Sequence, residues 1–360
     1  MRRSAAPDTP GTGPSPSPVG PEGSWRGRVD GDGPEHARWH QRVRSATDSP
    51  AVLTDVRGPR GPGPAPTAGG ARQTEAGFQV SVLGFRSDEG VRRNRGRIGS
   101  ADGPAALRGA LAPLALHERI SILDHGDAAT AGEDLEAGQS EAAALITGAL
   151  DDPGTDLTVV LGGGHETAWA SYRGLMASRA VADHGPRWGV LNLDAHFDLR
   201  EEERPTSGTP FAQIAAAERE AGRALDYAVL GIAESSNTAV LFERARALGV
   251  RWMTDLECAE AGAVGVRSFV EDFAHDLDVL YLTIDLDVLP AAVAPGVSAP
   301  AGLGVETALV AAAVRAAAAT GTLALLDVVE LNPALDIDGR TARTAARLVD
   351  LAVHRAVALR

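Results

Sequence analysis

Six short apolar runs recur along this chain, at positions 78–84, 157–161, 188–193, 227–232, 279–284 and 322–329. Most of them are apolar at successive positions instead of alternate ones, so a strand formed from such a run must be covered on both faces. Segments with helical spacing fall between them, at 141–150, 211–223, 238–247 and 305–318. Buried strands that alternate with helices indicate an α/β fold with a mostly parallel sheet. Polar clusters follow the C-terminal ends of these runs, where open α/β sheets place their ligands. No internal repeat is visible.

The flanks differ from this pattern. Residues 1–23 are rich in Pro, Gly and Ser with few apolar anchors, and are expected to form a disordered tail. Residues 24–77 divide into an arm carrying Trp25 and Trp39 and a Pro/Gly-rich loop; the catalytic domain is expected over 78–360. All 34 basic residues are Arg, so an isolated Arg carries little functional weight here. The net charge of -14 argues against nucleic acid or an anionic membrane as partner. A lone cysteine, Cys258, rules out a disulfide framework and a thiolate metal cluster. No apolar stretch follows Met1-Arg2-Arg3, and the apolar region 308–326 is broken by Arg315 and Thr320-Gly321-Thr322. Neither a signal peptide nor a membrane span is expected, and the expected location is the cytoplasm.

Four clusters carry chemistry. In Asn192-Leu193-Asp194-Ala195-His196-Phe197-Asp198 the side chains of Asp194, His196 and Asp198 alternate with apolar or small ones, so an extended segment aims all three one way. Three such groups together are costly to desolvate unless a cation compensates them. Gly162-Gly163-Gly164-His165-Glu166 lets the backbone turn sharply and leaves His165 at the mouth of a helix, with Glu166 in its first turn. Thr283-Ile284-Asp285-Leu286-Asp287 repeats the period of two, and Glu330 ends the run Val328-Val329. Two histidines and four aspartates supply six N/O donors, which suits Mn²⁺ better than zinc. Four carboxylates match two divalent ions, roughly 3.5–4 Å apart in a two-metal centre.

In their order, G-G-G-H-E, D-A-H-F-D, D-L-D-x-L-P and V-E-x-x-P resemble the ureohydrolase family of arginase, agmatinase and formimidoylglutamase, from about residue 78 to the C-terminus. The resemblance implies a three-layer α/β/α domain and two Mn²⁺ per subunit. One ion would be held by His165, Asp194, Asp198 and Asp285, and the other by His196, Asp194, Asp285 and Asp287. Water activated between them would be the nucleophile, with Asp198 and Glu330 as catalytic residues. Val91-Arg92-Arg93-Asn94-Arg95-Gly96-Arg97, Ser235-Ser236-Asn237-Thr238 and Asp338-Gly339-Arg340-Thr341-Ala342-Arg343 are similar to the formimidoylglutamase branch. That branch implies hydrolysis of N-formimidoyl-L-glutamate to L-glutamate and formamide, a step of histidine degradation, by a homo-oligomer.

Where arginase and agmatinase carry a His-Gly pair, this chain has Ser207-Gly208, which counts against both. The substrate's carboxylates call for fixed cations or amides, and Arg200, Arg93, Asn237 and Ser207 are the candidates; Ser207 could equally cap the helix that follows. His125 is read as structural. The rival readings are a guanidino hydrolase such as agmatinase, which would release urea, a non-catalytic metal-binding relative, and a deacetylase on a similar fold.

Overall fold

The computed structural model of the chain describes residues 24–46 and 77–359. The expected tail, 1–23, and most of the Pro/Gly-rich loop, 47–76, lie outside the described residues. The strands are β1 (Val43–Ser45), β2 (Phe78–Arg86), β3 (Ile120–Ala129), β4 (Leu157–Leu161), β5 (Trp188–Leu193), β6 (Asp226–Ile232), β7 (Arg251–Thr254), β8 (Val279–Asp285) and β9 (Leu323–Val329). They form one sheet in the order β1-β3-β2-β4-β9-β8-β5-β6-β7, and every pairing is parallel.

The helices are α1 (Glu89–Arg93), α2 (Gly103–Leu111), α3 (Leu135–Leu150), α4 (Thr167–Ala177), α5 (Arg179–Ala182), α6 (Pro210–Glu220), α7 (Ala239–Ala247), α8 (Asp255–Ala274), α9 (Thr307–Ala318) and α10 (Arg340–Val357). Two apolar cores lie on opposite faces of the sheet. Leu191 and Leu193 of β5 pack with residues of α2, α8, α9 and α10. Val190 of the same strand packs with residues of α3, α4, α6 and α7. Burial on both sides is why these runs are continuously apolar, and the result is a three-layer α/β/α domain.

All six expected strands are present, and the four expected helices are too, with α3 starting earlier, at Leu135. Asp134 caps it by accepting a hydrogen bond from the Ala137 N–H. Of the three strands outside those six runs, β1 and β7 are the two sheet edges. Being only half covered, they lack the apolar continuity that marks the others. The third is β3, whose start is legible as a short strand around 119–123 and which runs on to Ala129. Its polar end is satisfied by buried Arg108 of α2, which grips Asp124 through two hydrogen bonds at 2.8 and 3.0 Å and pairs with Asp127 at 2.6 Å. His125 bonds Ser81 within the sheet, a structural position.

The arm is part of this body. Through β1 it pairs with β3, Trp25 stacks on fully buried Trp39, and their indole N–H groups donate to Asp124 and to Asp350 of α10. No helix among the described residues is long and apolar enough to cross a membrane.

Candidate metal centre

β4, β9, β8 and β5 are neighbours in the middle of the sheet, and each ends in one of the four polar clusters. Parallel pairing puts all four ends at one edge, so His165, the segment Asp194–Asp198, the pair Asp285/Asp287 and Glu330 meet there. His165 Nδ1 lies 2.9 Å from Asp198, 3.1 Å from Asp285 and 3.3 Å from Asp194. His196 Nδ1 lies 3.1 Å from Asp287 and 3.4 Å from Asp194. Two groups of mutually close ligand atoms result, His165/Asp194/Asp285 and Asp194/His196/Asp287, which share Asp194.

The backbone is shaped for this convergence. Gly163 abuts the Ser87 carbonyl so closely that a Cβ there would stand 1.9 Å from its oxygen, which only glycine allows. Asp198 and Glu330 both have left-handed backbone, with φ of 49° and 69°. For residues with a side chain that conformation costs on the order of 1–3 kcal/mol, and such strain concentrates at functional sites. Glu330 is held by its own N–H bond to the Gly163 carbonyl and by the His165 N–H, which donates to its Oε1 at 2.8 Å.

Electrostatically the cluster is unbalanced. Burial, reinforced by neighbouring carboxylates, raises Asp285 well above the ordinary carboxylate range and raises Asp198 as well. Glu330 is pushed up to about 8, first by burial and then by Glu166. For His165, burial favours the neutral ring, but three surrounding carboxylates outweigh it and hold its pKa well above the usual value. Yet His165 Nδ1 is a buried atom without a hydrogen bond of acceptable geometry, although three carboxylate oxygens lie within 3.3 Å. Donors of this kind, all N and O and all converging on one spot, fit a hard or borderline divalent cation.

Several supporting residues escaped sequence reading. Asn192 donates to Asp194 at 2.8 Å and to the Tyr227 oxygen, and Tyr227 donates to the Phe197 carbonyl. Thr283 meets the far ring nitrogen of His165 at 3.1 Å. Asn192 and Thr283 each stand two residues before a ligand on its own strand and continue the period of two, whereas Tyr227 reaches in from the neighbouring β6. Glu166 starts α4 without capping it; its carboxylate accepts bonds from Ser87 and the Gly90 N–H, tying the loop after β2 to the His165 turn.

The expected substrate contacts fare unevenly. The Arg93 side chain is only 5% exposed, and it pairs with Glu89 and Glu136 and donates to two backbone carbonyls. Asn237 has both amide N–H groups in use, donating to the Ala195 and Ala233 carbonyls, and its oxygen accepts from the Phe197 N–H. In this geometry the N–H groups of both side chains are engaged within the protein. Ser207 is buried, accepts a bond from Asn94 and does not cap α6, whose N-cap is Thr209. Arg200 is exposed and its guanidinium makes no hydrogen bond or ion pair among the described residues. It lines a cavity of about 380 Å³ beside α6 and α7 that contains none of the six candidate ligands.

The chain is similar to known proteins over most of its length. A formimidoylglutamase of Nocardia farcinica is 50% identical over 337 residues, covering 94% of this chain and 98% of that protein. One from Rhodococcus jostii is 48% identical over 340 residues, covering 94% and 96%. A crystal structure of Trypanosoma cruzi formiminoglutamase with Mn²⁺ superposes with a TM-score of 0.67 at 26% identity, over 80% of this chain and 96% of that one. The arginase family model matches residues 78–354, which span every strand from β2 to β9 and all seven residues gathered at the sheet edge; the chain belongs to the arginase family.

Proposed function

We infer that the protein is a formimidoylglutamase, a manganese-dependent hydrolase that converts N-formimidoyl-L-glutamate and water to L-glutamate and formamide. The observation that carries this reading is the meeting of two imidazoles and four aspartates at one sheet edge, in a chain about half identical to proteins of that name.

We assign His165, Asp194, Asp198 and Asp285 to one ion and His196, Asp194, Asp285 and Asp287 to a second. Asp194 belongs to both groups of close donors, which supports its shared role. When bound, two such ions supply the Lewis acidity that makes water nucleophilic near neutral pH. Manganese is preferred over zinc because the donors are carboxylates and imidazoles, and the one thiol, Cys258, is buried on α8.

Glu330 orients the substrate. One of its oxygens is fixed by the His165 N–H, and the other accepts from the amidinium N–H groups, holding the formimino carbon for attack. A C–O bond forms there as the C–N bond to glutamate breaks. Asp198 takes the proton from the attacking water and delivers it to the departing amine. Of the basic candidates for the substrate carboxylates, Arg200 is the one with a free guanidinium fork, and we assign it that task. Ser207 lines the same loop.

The test is turnover by manganese-loaded protein of N-formimidoyl-L-glutamate, arginine and agmatine, with formamide, glutamate and urea assayed separately. Formamide and glutamate in equal amounts are expected from the first substrate only. Asp194→Ala and Asp285→Ala are expected to lose both bound manganese and turnover. Urea release, or turnover by a variant that holds no metal, would refute the assignment.

A further inference from the structure

Asp327 is a charged residue that the mechanism above does not use. It sits inside β9, fully buried, on the central strand that ends in Glu330. Ser171 donates to its Oδ2 at 2.7 Å, and the Tyr281 hydroxyl donates to the same oxygen. Its Oδ1 is buried without a hydrogen bond. The residue directly beside it in the register of β8 is Thr283, and Thr283 Oγ1 lies 3.1 Å from His165 Nε2. Thr283 and Asp327 face the same side of the sheet and interact, so the Thr283 hydroxyl stands between a carboxylate and an imidazole nitrogen.

A hydroxyl has one proton to give. If it goes to His165 Nε2, then Nδ1 carries the ring proton and points an N–H at Asp194, Asp198 and Asp285, with no lone pair for a cation. If it goes to the carboxylate, the hydroxyl oxygen accepts Nε2–H, and Nδ1 presents its lone pair to those same three oxygens. The hydrogen bond at one ring nitrogen decides the state of the other. An acceptor with an unfilled oxygen beside Thr283 favours the second arrangement.

We propose that Asp327 is a positioning residue which, by drawing the Thr283 proton toward itself, fixes His165 in the Nε2–H form and so makes Nδ1 a metal ligand. This rests on the metal assignment given above, and its test separates the two. Manganese binding to the full chain is followed by the electron paramagnetic resonance signal of free Mn²⁺, for wild type, Thr283→Val, Thr283→Ser and Asp327→Asn. Thr283→Val is expected to lose about 10–100-fold in affinity at one of two sites, the size typical of removing a partner behind a metal-bound histidine. Thr283→Ser keeps the hydroxyl and is expected to stay close to wild type. Asp327→Asn, whose amide can donate to the threonine oxygen and turn its proton toward His165, is expected to weaken the same site. Thermal unfolding of each variant separates weakened binding from failure to fold, and the near-isosteric Asp327→Asn carries the test if Thr283→Val does not fold.

Nitrogen-15 NMR of His165 in metal-free protein, taken at a pH above the raised pKa of its ring so that the imidazole is neutral, supplies the second readout: Nε2–H in wild type, and loss of that preference in Thr283→Val. Wild-type affinity and an unchanged tautomer in both Thr283→Val and Asp327→Asn would overturn the proposal. So would a Thr283→Ser variant as weak as Thr283→Val, since that points to lost packing. A wild type that binds no manganese would sink the metal assignment instead, and the NMR readout would still decide the tautomer.

Discussion

At the scale of single residues, charge alone does not identify a substrate contact; what matters is whether its hydrogen-bonding capacity is already committed. Arg93 and Arg200 illustrate this, since both precede or follow motif residues and both read as anion grips in the sequence. Arg93 is enclosed by Glu89 and Glu136, and Glu89 is itself 4% exposed and held below the ordinary carboxylate range by Arg92 and Arg93. Arg93→Ala is expected to lower stability by roughly 3 kcal/mol, because it deprives a buried carboxylate of a partner, and to leave KM within a few-fold. Arg200→Ala is expected to do the reverse: unchanged urea midpoint, and KM raised about tenfold or more by loss of a charged hydrogen bond. Denaturant titration and initial rates on both variants decide the matter. The six candidate ligands were legible from their motifs, the glycine turn for His165 and the period of two for the aspartates and His196. The extended backbone that the period assumes nevertheless ends at Leu193 and Asp285, Asp198 being left-handed and Asp287 lying in a 3-10 turn. The fates of Arg93 and Asn237 were not legible, because Glu136 and the Ala195 carbonyl reach them from segments about 40 residues away.

At the scale of elements, the arm is fastened to α10 by a small titrating assembly. Asp350 accepts the Trp39 indole N–H at 3.0 Å and pairs with Arg347 and His354. Burial works against the charged form of Asp350, but its bonds to His354 and Trp39 prevail and its pKa is lowered from 3.8. His354 is raised above 6.5, chiefly by its bond to Asp350, with burial opposing and Glu118 assisting. The signs follow by linkage. The His354 contribution is complete below its unfolded pKa and disappears as pH rises through the raised folded value. The Asp350 contribution is present above its unfolded pKa and disappears as pH falls through the lowered one. This contact is therefore strongest between about pH 4 and 6.5. His354→Gln is expected to flatten the alkaline limb of the stability curve and to shrink the acid limb to the part that the Trp39 bond sustains, as read by denaturant midpoints across pH. An alkaline limb unchanged by the substitution would contradict the assignment. Sequence reading anticipated that the arm packs on the body through its tryptophans. It missed α10 as an element, because only Asp338–Arg343 was read there, as a motif, and the amphipathic spacing that continues to Val357 was not.

At the scale of the whole molecule, strand order was the illegible part. Alternating runs declare a parallel sheet, and the polar ends declare where chemistry gathers, but nothing local states that β4, β9, β8 and β5 are neighbours. That order arises from which long crossovers bury most surface, a property of the assembled layers. The charge gathered by this order couples stability to cation binding. Ligands that bind only the folded state raise its unfolding temperature by mass action. Manganese added to chelator-treated protein is expected to raise the unfolding temperature by several degrees or more, and the gain is expected to vanish in Asp285→Ala. Calorimetry with and without metal measures both.

The last strand made, β9, is inserted between β4 and β8 instead of being added at an edge. Until a nascent polypeptide has been extended beyond Val329, the two halves of the sheet have no strand to join them, and each keeps an open flank that can pair wrongly. Folding is thus concentrated near the end of synthesis, and a truncated translation product stopping short of Glu330 is a target for chaperones and proteases, never a weaker enzyme.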